Sequence, residues 1–527
     1  MATQYNLTDD KKGTLLGHPH GLFVLFFAEM WERFSYYGMR ALLIFYLTKH
    51  FLFGDDKAYL IYGAYTSLVY ITPVIGGYLA DRYLGARKAV LCGGIFIAIG
   101  HFLIAITEGP SGQSGYHLNG FFLALSFIII GTGFLKANIS VMVGELYPRD
   151  DIRRDPAYSI FYMGINVGGM LGPIICGVLG ETLGWAWGFG AAGVGMLLGL
   201  VVFVLCKPTL KGAGEPRNPV VLAERSSLGL SKEWTIYAAS AIAVIGIWGL
   251  IQYQDVVGYA LLVFAFATVA YILYRIFTTF ERIDRDRILA ALFLIALNPL
   301  FWGLFEQAGS SLSIFTDRNV DRHIFGWDVP ASVFQSVNST FIILLAPLFA
   351  VLWTWLAKRR MEPNTAAKFG IGLLLIGFGF LVLVGGAVAA GADLTPVIFI
   401  FGIYLLHTMG ELCFSPVGLS AMTRLSVGGI AGLMMGTWFL ATAAGNFVAG
   451  LIARATGGEG AGPEKVLEVY TRLGWAVIVV GILVILVSPI IKRMMHLDTL
   501  TDTGPLAGQK EIGEPGAAGL ATGKETL

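Results

Sequence analysis

Residues 27–47 read FAEMWERFSYYGMRALLIFYL, a run apolar enough to sit in a bilayer that nevertheless holds Glu29, Glu32, Arg33 and Arg40. On a helix these charges, together with Tyr36 and Tyr37, recur at spacings of three or four and form one polar stripe on a lipid-compatible rod. An ionisable group at membrane depth costs on the order of a few kcal/mol and faces a protein interior or a water-filled path, so four on one stripe predict a translocation route.

The rest of the chain agrees with a membrane setting. Of 527 residues 56% are hydrophobic and 13% charged, with a mean hydropathy of +0.70, which excludes a soluble globular chain and predicts a polytopic membrane protein. A net charge of +1 gives no surplus for binding nucleic acid. Cys92, Cys176, Cys206 and Cys413 lie in or beside apolar segments without metal-ligand spacing, so they read as small core residues; no disulfide, metal or cofactor is expected. Residues 1–20 are polar and the first apolar segment is long and charged, so no cleavable signal peptide is expected and that segment is kept as a helix.

Apolar runs of about 20 residues predict 14 spans. They are 21–47, 59–83, 89–107, 118–143, 158–181, 185–205, 234–250, 256–278, 288–315, 332–356, 369–390, 396–419, 430–453 and 473–491. With the N-terminus inside, the inner loops hold twenty Lys and Arg, from Arg82, Arg87 and Lys88 to Lys358, Arg359, Arg360, Lys368 and Arg424, against seven outside. Both termini are therefore expected in the cytoplasm.

The basic stretch 207–231 divides the first six spans from the rest. The expected organisation is an N-terminal cytoplasmic segment 1–20, a six-helix bundle 21–206, a cytoplasmic linker 207–231, a two-helix insertion 232–280, a second six-helix bundle 281–493 and a disordered tail 494–527. The seventh and eighth spans carry no interior charge and read as a structural pair outside the working bundle. Two six-helix halves are the layout in which a substrate site forms near the midplane and the halves rock around it.

Gly77-Tyr78-Leu79-Ala80-Asp81-Arg82-Tyr83-Leu84-Gly85-Ala86-Arg87-Lys88 resembles the cytoplasmic-loop signature of the major facilitator superfamily. There Asp81 and Arg87 or Lys88 would latch helix ends when an inner gate shuts. More restrictive is Glu29-x-x-Glu32-Arg33-Phe34 with Tyr36-Tyr37-Gly38, which is similar to the E-x-x-E-R-F motif of the proton-dependent oligopeptide transporters. Phe161-Tyr162-Met163-Gly164-Ile165-Asn166-Val167-Gly168 resembles that family's fifth-helix signature, and Lys136, Phe301-Trp302, Glu306-Gln307, Glu411 and Ser415-Pro416 extend the resemblance across both halves. It implies an all-α major facilitator fold of 14 transmembrane helices, bacterial in type: the short 390–396 loop leaves no room for the extracellular domain of animal members. One departure is Gly63, which stands where some members carry a histidine on the second helix and moves the burden of proton handling to carboxylates.

Helical rise puts Glu29, Glu32, Arg33, Lys136 and Asn166 roughly 12 to 18 Å above the inner face, Glu411 and Tyr70 at about 18 to 20 Å, and Arg40 and Glu306 near 27 Å. Two assignments follow as expectations. Arg33 and Lys136 meet the carboxylate of a di- or tripeptide while Glu411 meets its ammonium; Asn166 and Asn338 orient the peptide, as the resemblance implies. Tyr36, Tyr37, Tyr70 and Ser415 add hydroxyls, and Trp302 and Trp438 add flat apolar surface. Arg40 and Glu306 pair across the halves as an outer gate. Three buried cations face four buried acids, a net of −1 if all are ionised, so one acid is expected to take a proton, with Glu29 and Glu32 leading and Glu306 linked to gating.

The function expected is proton-coupled import of di- and tripeptides into a bacterial cell across its inner membrane, by one chain working as a monomer in the lipid bilayer. A relative carrying nitrate or another small organic anion, or a membrane nutrient sensor, are the competing readings. No catalytic cluster is visible, so an enzyme is not expected. His101 and His407 read as packing residues, Glu145 and Glu181 as solvated helix ends, and the glycine-rich runs as close helix packing rather than phosphate loops.

Overall fold

A computed structural model describes residues 14–148, 151–225, 229–425, 430–457 and 462–497. Most of the N-terminal segment and of the tail expected to be disordered lies outside the described residues, as does Arg149 of the inner loops. Below, "inner" denotes the end that carries Arg82, Arg87 and Lys88.

The described residues form fourteen long helices: α1 (His20–Phe45), α2 (Asp55–Leu79), α3 (Ala86–Thr107), α4 (Gly115–Glu145), α5 (Arg154–Thr182), α6 (Trp185–Leu205), α7 (Lys232–Ile251) and α8 (Gln254–Thr279), then α9 (Arg282–Phe305), α10 (Ser336–Lys358), α11 (Thr365–Ala390), α12 (Ile398–Leu425), α13 (Ala431–Thr456) and α14 (Pro463–Met494). In hydrocarbon every backbone N–H and C=O must be satisfied within its own segment, which is why these apolar runs become helices. Strands are reduced to two-residue pairs. Thirteen helices are long and apolar enough to cross a membrane. The four charges of α1 set it outside that group, although most of its length is buried.

The span expected at 288–315 is broken. After α9 the chain tightens into a 3-10 turn at Glu306–Gly309 and resumes as a short helix, Ser311–Asn319. The last span is longer than expected, because Pro463 starts it and Lys492 and Arg493 close its final turn.

Within the N-terminal half α1 packs on α5 and α6, and α3 on α4; within the C-terminal half α11 packs on α12 and α14, and α9 on α13. The halves meet through α2 against α13 and α5 against α10. Both crossings need glycine. A Cβ on Gly63 would stand 3.0 Å from the Gly450 Cα, and one on Gly169 would stand 2.5 Å from the Ser339 hydroxyl. The position where some relatives carry a histidine is thus a close helix crossing in this chain.

Helices α7 and α8 sit apart from this core. α7 packs on α4 and α8 on α13, while Ile242, Ile245, Leu262, Val263 and Phe266 remain exposed. Large apolar side chains pointing outward all along a helix are lipid-facing.

Candidate functional site

Spacing alone brings Glu29, Glu32 and Arg33 together, one helical turn apart on the buried face of α1. The Arg33 Nε donates to Glu29 Oε1 at 2.7 Å and lies 2.9 Å from Glu32 Oε2. Glu32 is wholly shielded from solvent, and Glu29 and Arg33 nearly so. The other Glu29 oxygen and both Glu32 oxygens accept no hydrogen bond. One cation therefore contacts two carboxylates.

Lys136, on α4, has a different environment. Its ammonium lies 3.5 Å from the centroid of the Tyr70 ring on α2. Among the described residues it makes no ion pair: Arg33 is bonded within its own helix, while Lys136 rests on an aromatic face with Arg33, Glu32 and Glu29 within electrostatic reach. Asn166, buried on α5, donates to the Tyr162 carbonyl of its own helix at 3.0 Å.

Across the interface Glu411 sits half-buried on α12, ahead of the Pro416 position that interrupts the helix's hydrogen-bond ladder. The Asn338 amide of α10 donates to Glu411 Oε2 and to Thr408 Oγ1, both at 3.0 Å. Among the described residues no cation pairs with Glu411. Thr408, one turn from Glu411, was not singled out in the sequence; the three-residue spacing to Glu411 is the signal that finds it.

The aromatic residues divide. Tyr37, Tyr70 and Trp302 are half-buried, as is Ser415, whereas Tyr36 is buried with its hydroxyl unpartnered and its ring edge-on to Tyr37 at 5.2 Å. Trp438 departs from the expected cavity wall. It is 3% exposed and packs beside Phe369 and Phe414, where the missing side chain of Gly418 makes room for its ring. In this conformation it is a core residue of the C-terminal half.

Toward the outer end, Arg40 on α1 meets Glu306 at the break in α9, with Nη2 to Oε2 at 2.7 Å and both side chains buried. At the break Gly309 packs against α2, where a Cβ would collide with the Tyr62 hydroxyl. Three further contacts cross the halves nearby. Lys49 pairs with Asp317 at 2.9 Å, Arg318 donates bidentately to Asp55 at 2.6 and 2.9 Å, and Glu181 accepts from the Ser332 backbone N–H at 2.9 Å. Glu181 is thus not a solvated helix end but a link between halves. Its partner lies far away in sequence, so no local signal reveals it.

The inner end has no such closure among the described residues. Asp81 is exposed and unpaired, while Arg87 turns to Glu215 at 2.8 Å and Lys88 to Glu233 at 2.6 Å. The latch expected from Asp81 with Arg87 or Lys88 is not formed here. The hydrogen bond from Arg87 holds the Glu215 carboxyl below the usual carboxylate range. Between the inner parts of α5 and α10 a cavity of about 470 Å³ opens, lined by Tyr158, Tyr162, Asn166, Ile342 and Pro347 among others. Outer ends joined and inner ends parted describe an inward-facing arrangement.

The histidines take packing roles. His101 Nε2 lies 2.5 Å from the Ser35 hydroxyl, and His407 Nε2 lies 3.2 Å from the Ile376 carbonyl. Glu145, at the inner end of α4, is exposed yet accepts from the Gly214 N–H at 2.6 Å, tying the linker to that helix.

Residues 87–461 match the family model described as POT family. The chain is 39% identical over 489 residues to an uncharacterized transporter, YclF, of Bacillus subtilis, covering 91% of this chain and 95% of that one. It is 37% identical over 511 residues to the peptide transporter YePEPT of Yersinia enterocolitica, with 92% and 96% covered. Its structure is similar to the crystal structure of a variant of a peptide transporter POT in complex with alafosfalin, with a TM-score of 0.80 at 34% identity, covering 92% and 97% of the two chains. It is also similar to a POT family transporter in complex with 5-aminolevulinic acid, with a TM-score of 0.78 at 32% identity over 91% and 98%.

Proposed function

The chain belongs to the POT family, and from that membership we propose that it is a symporter that imports di- and tripeptides with protons by alternating access. The observation that carries this reading is a pair of charges on opposing halves: among the described residues Lys136 on α4 makes no ion pair and Glu411 on α12 meets no cation. A short peptide is a zwitterion that supplies both missing partners. Its carboxylate goes to Lys136 and to Arg33, whose planar fork bonds two oxygens once a neighbouring acid lets go. Its ammonium goes to Glu411, steadied by Asn338. An anion alone leaves Glu411 unmatched, which favours the peptide over nitrate. The half-buried Tyr37, Tyr70 and Trp302 serve varied side chains, so backbone and termini are read while side chains are tolerated.

Proton coupling resides in the carboxylates that share Arg33. A proton on Glu29 or Glu32 removes the surplus charge and frees part of the guanidinium for substrate. Protonation of Glu306 weakens its pair with Arg40 and favours outer opening, which links proton binding to conformation. The basic-residue distribution supports a cell-membrane placement with both termini cytoplasmic, and a single chain holding both halves supports a monomer as the working unit.

Glu411→Ala tests the polarity. Uptake of dialanine in proteoliposomes should fall at least about a hundredfold, since removing one member of a buried charge pair typically costs 3 kcal/mol or more. Uptake of dialanine retained by this variant would overturn the assignment.

A further inference from the structure

Beneath the C-terminal half, away from the cavity between the halves, the inner ends of α10, α11, α12 and α14 enclose a second cavity of about 480 Å³. Unlike the apolar crevices beside α1 and α7, this one is lined by charge. Lys368 enters it from the first turn of α11, Arg424 from the end of α12 and Lys492 from the end of α14, against a single acid, Glu362. Lys368 is buried. Its ammonium pairs with Glu362 at 2.5 Å and stands 4.4 Å from the Trp353 ring centroid. Arg424 and Lys492 are exposed and make no ion pair among the described residues. Two uncompensated cations from two helices thus converge on one pocket, and Leu412, Val417 and Leu425 give it an apolar wall.

We propose that this pocket binds a phosphate anion, carried on the headgroup of an anionic phospholipid of the inner leaflet. The chemistry that fits is a compact oxyanion met by a guanidinium and an ammonium. Phosphate reaches such a pocket either free or on a lipid. The apolar wall and the position at the inner ends of four spanning helices favour the lipid, because basic pockets between helices at that face attract anionic headgroups. The site is separate from the transport cavity and does not rest on the proposed substrate.

The test is native mass spectrometry of the purified full chain in detergent with an equimolar mixture of phosphatidylglycerol and phosphatidylcholine. The wild type should retain phosphatidylglycerol in preference. Arg424→Gln with Lys492→Gln should lower that retention roughly 30-fold while leaving phosphatidylcholine unchanged. Lys358→Gln with Arg360→Gln removes the same charge from exposed positions outside the pocket and should retain the lipid as the wild type does. Equal loss from both double variants, or neither headgroup preference nor phosphate retention in the wild type, would overturn the site. Retention of millimolar inorganic phosphate by the wild type with no preferential retention of phosphatidylglycerol would uphold the anion pocket but overturn the lipid as its source.

Discussion

Arg33 can neutralise one carboxylate, and α1 gives it two. In the proposed coupling that crowding is where a proton has the most to do, because both carboxylates are buried and three of their four oxygens lack a hydrogen-bond donor. Glu29→Gln and Glu32→Gln should each lower proton-driven uptake by about a hundredfold or more, the low end of what one proton-transfer group contributes, while sparing counterflow exchange of labelled peptide. Loss of exchange in both variants would mean that these residues only hold Arg33. At the same scale, Glu306→Gln leaves Arg40 buried without its charge partner. The population with the outer ends apart should rise roughly tenfold to a hundredfold, read from spin-label distances between the outer ends of α2 and α13; an unchanged distribution would remove the pair from gating. The charges of α1 were legible from sequence because a charge inside an apolar run has few physical explanations. Trp438 was not, because a tryptophan on a helix gives no sign of whether it faces a cavity or packs under a glycine.

Two elements hold the outer side shut, the α2–α13 crossing and the broken α9. At the crossing Gly63 and Gly450 bring the backbones close, and a bulky side chain at position 63 meets the α13 backbone, 3.0 Å from the Gly450 Cα at its Cβ. Gly63→Leu should bias the protein away from the inward-facing form, since overpacking costs about 1 to 3 kcal/mol and that shifts a two-state population by roughly 5- to 150-fold. Spin labels on the same two helices report it, and an unaltered distance would show that the crossing does not govern closure. Helix existence was largely readable from apolar runs, because a span in lipid has no competing backbone solution. The break at Glu306–Gly309 was not, because the run contains no proline there and the residue that packs on Gly309, Tyr62, is distant in sequence. Glu181 was misread for the same reason.

Across the whole molecule, the contacts between halves sort by depth. The outer ends are joined by Arg40–Glu306, Lys49–Asp317, Arg318–Asp55 and Glu181–Ser332, whereas at the inner end Arg87 and Lys88 pair with the linker and α7. In the proposed cycle, rocking about the middle would trade one set for the other around Lys136 and Glu411 on opposite halves. A zwitterion bridging them in that cycle would draw the halves together, and a proton on α1 or at Glu306 would set when they part. The central claim joins these two events, and it is tested most directly by uptake of dialanine into proteoliposomes under an inward-directed pH gradient, with and without a protonophore. The account predicts accumulation above equilibrium that the protonophore abolishes, while exchange at equal pH continues. Accumulation that ignores the protonophore, or no dialanine uptake at all, would contradict it.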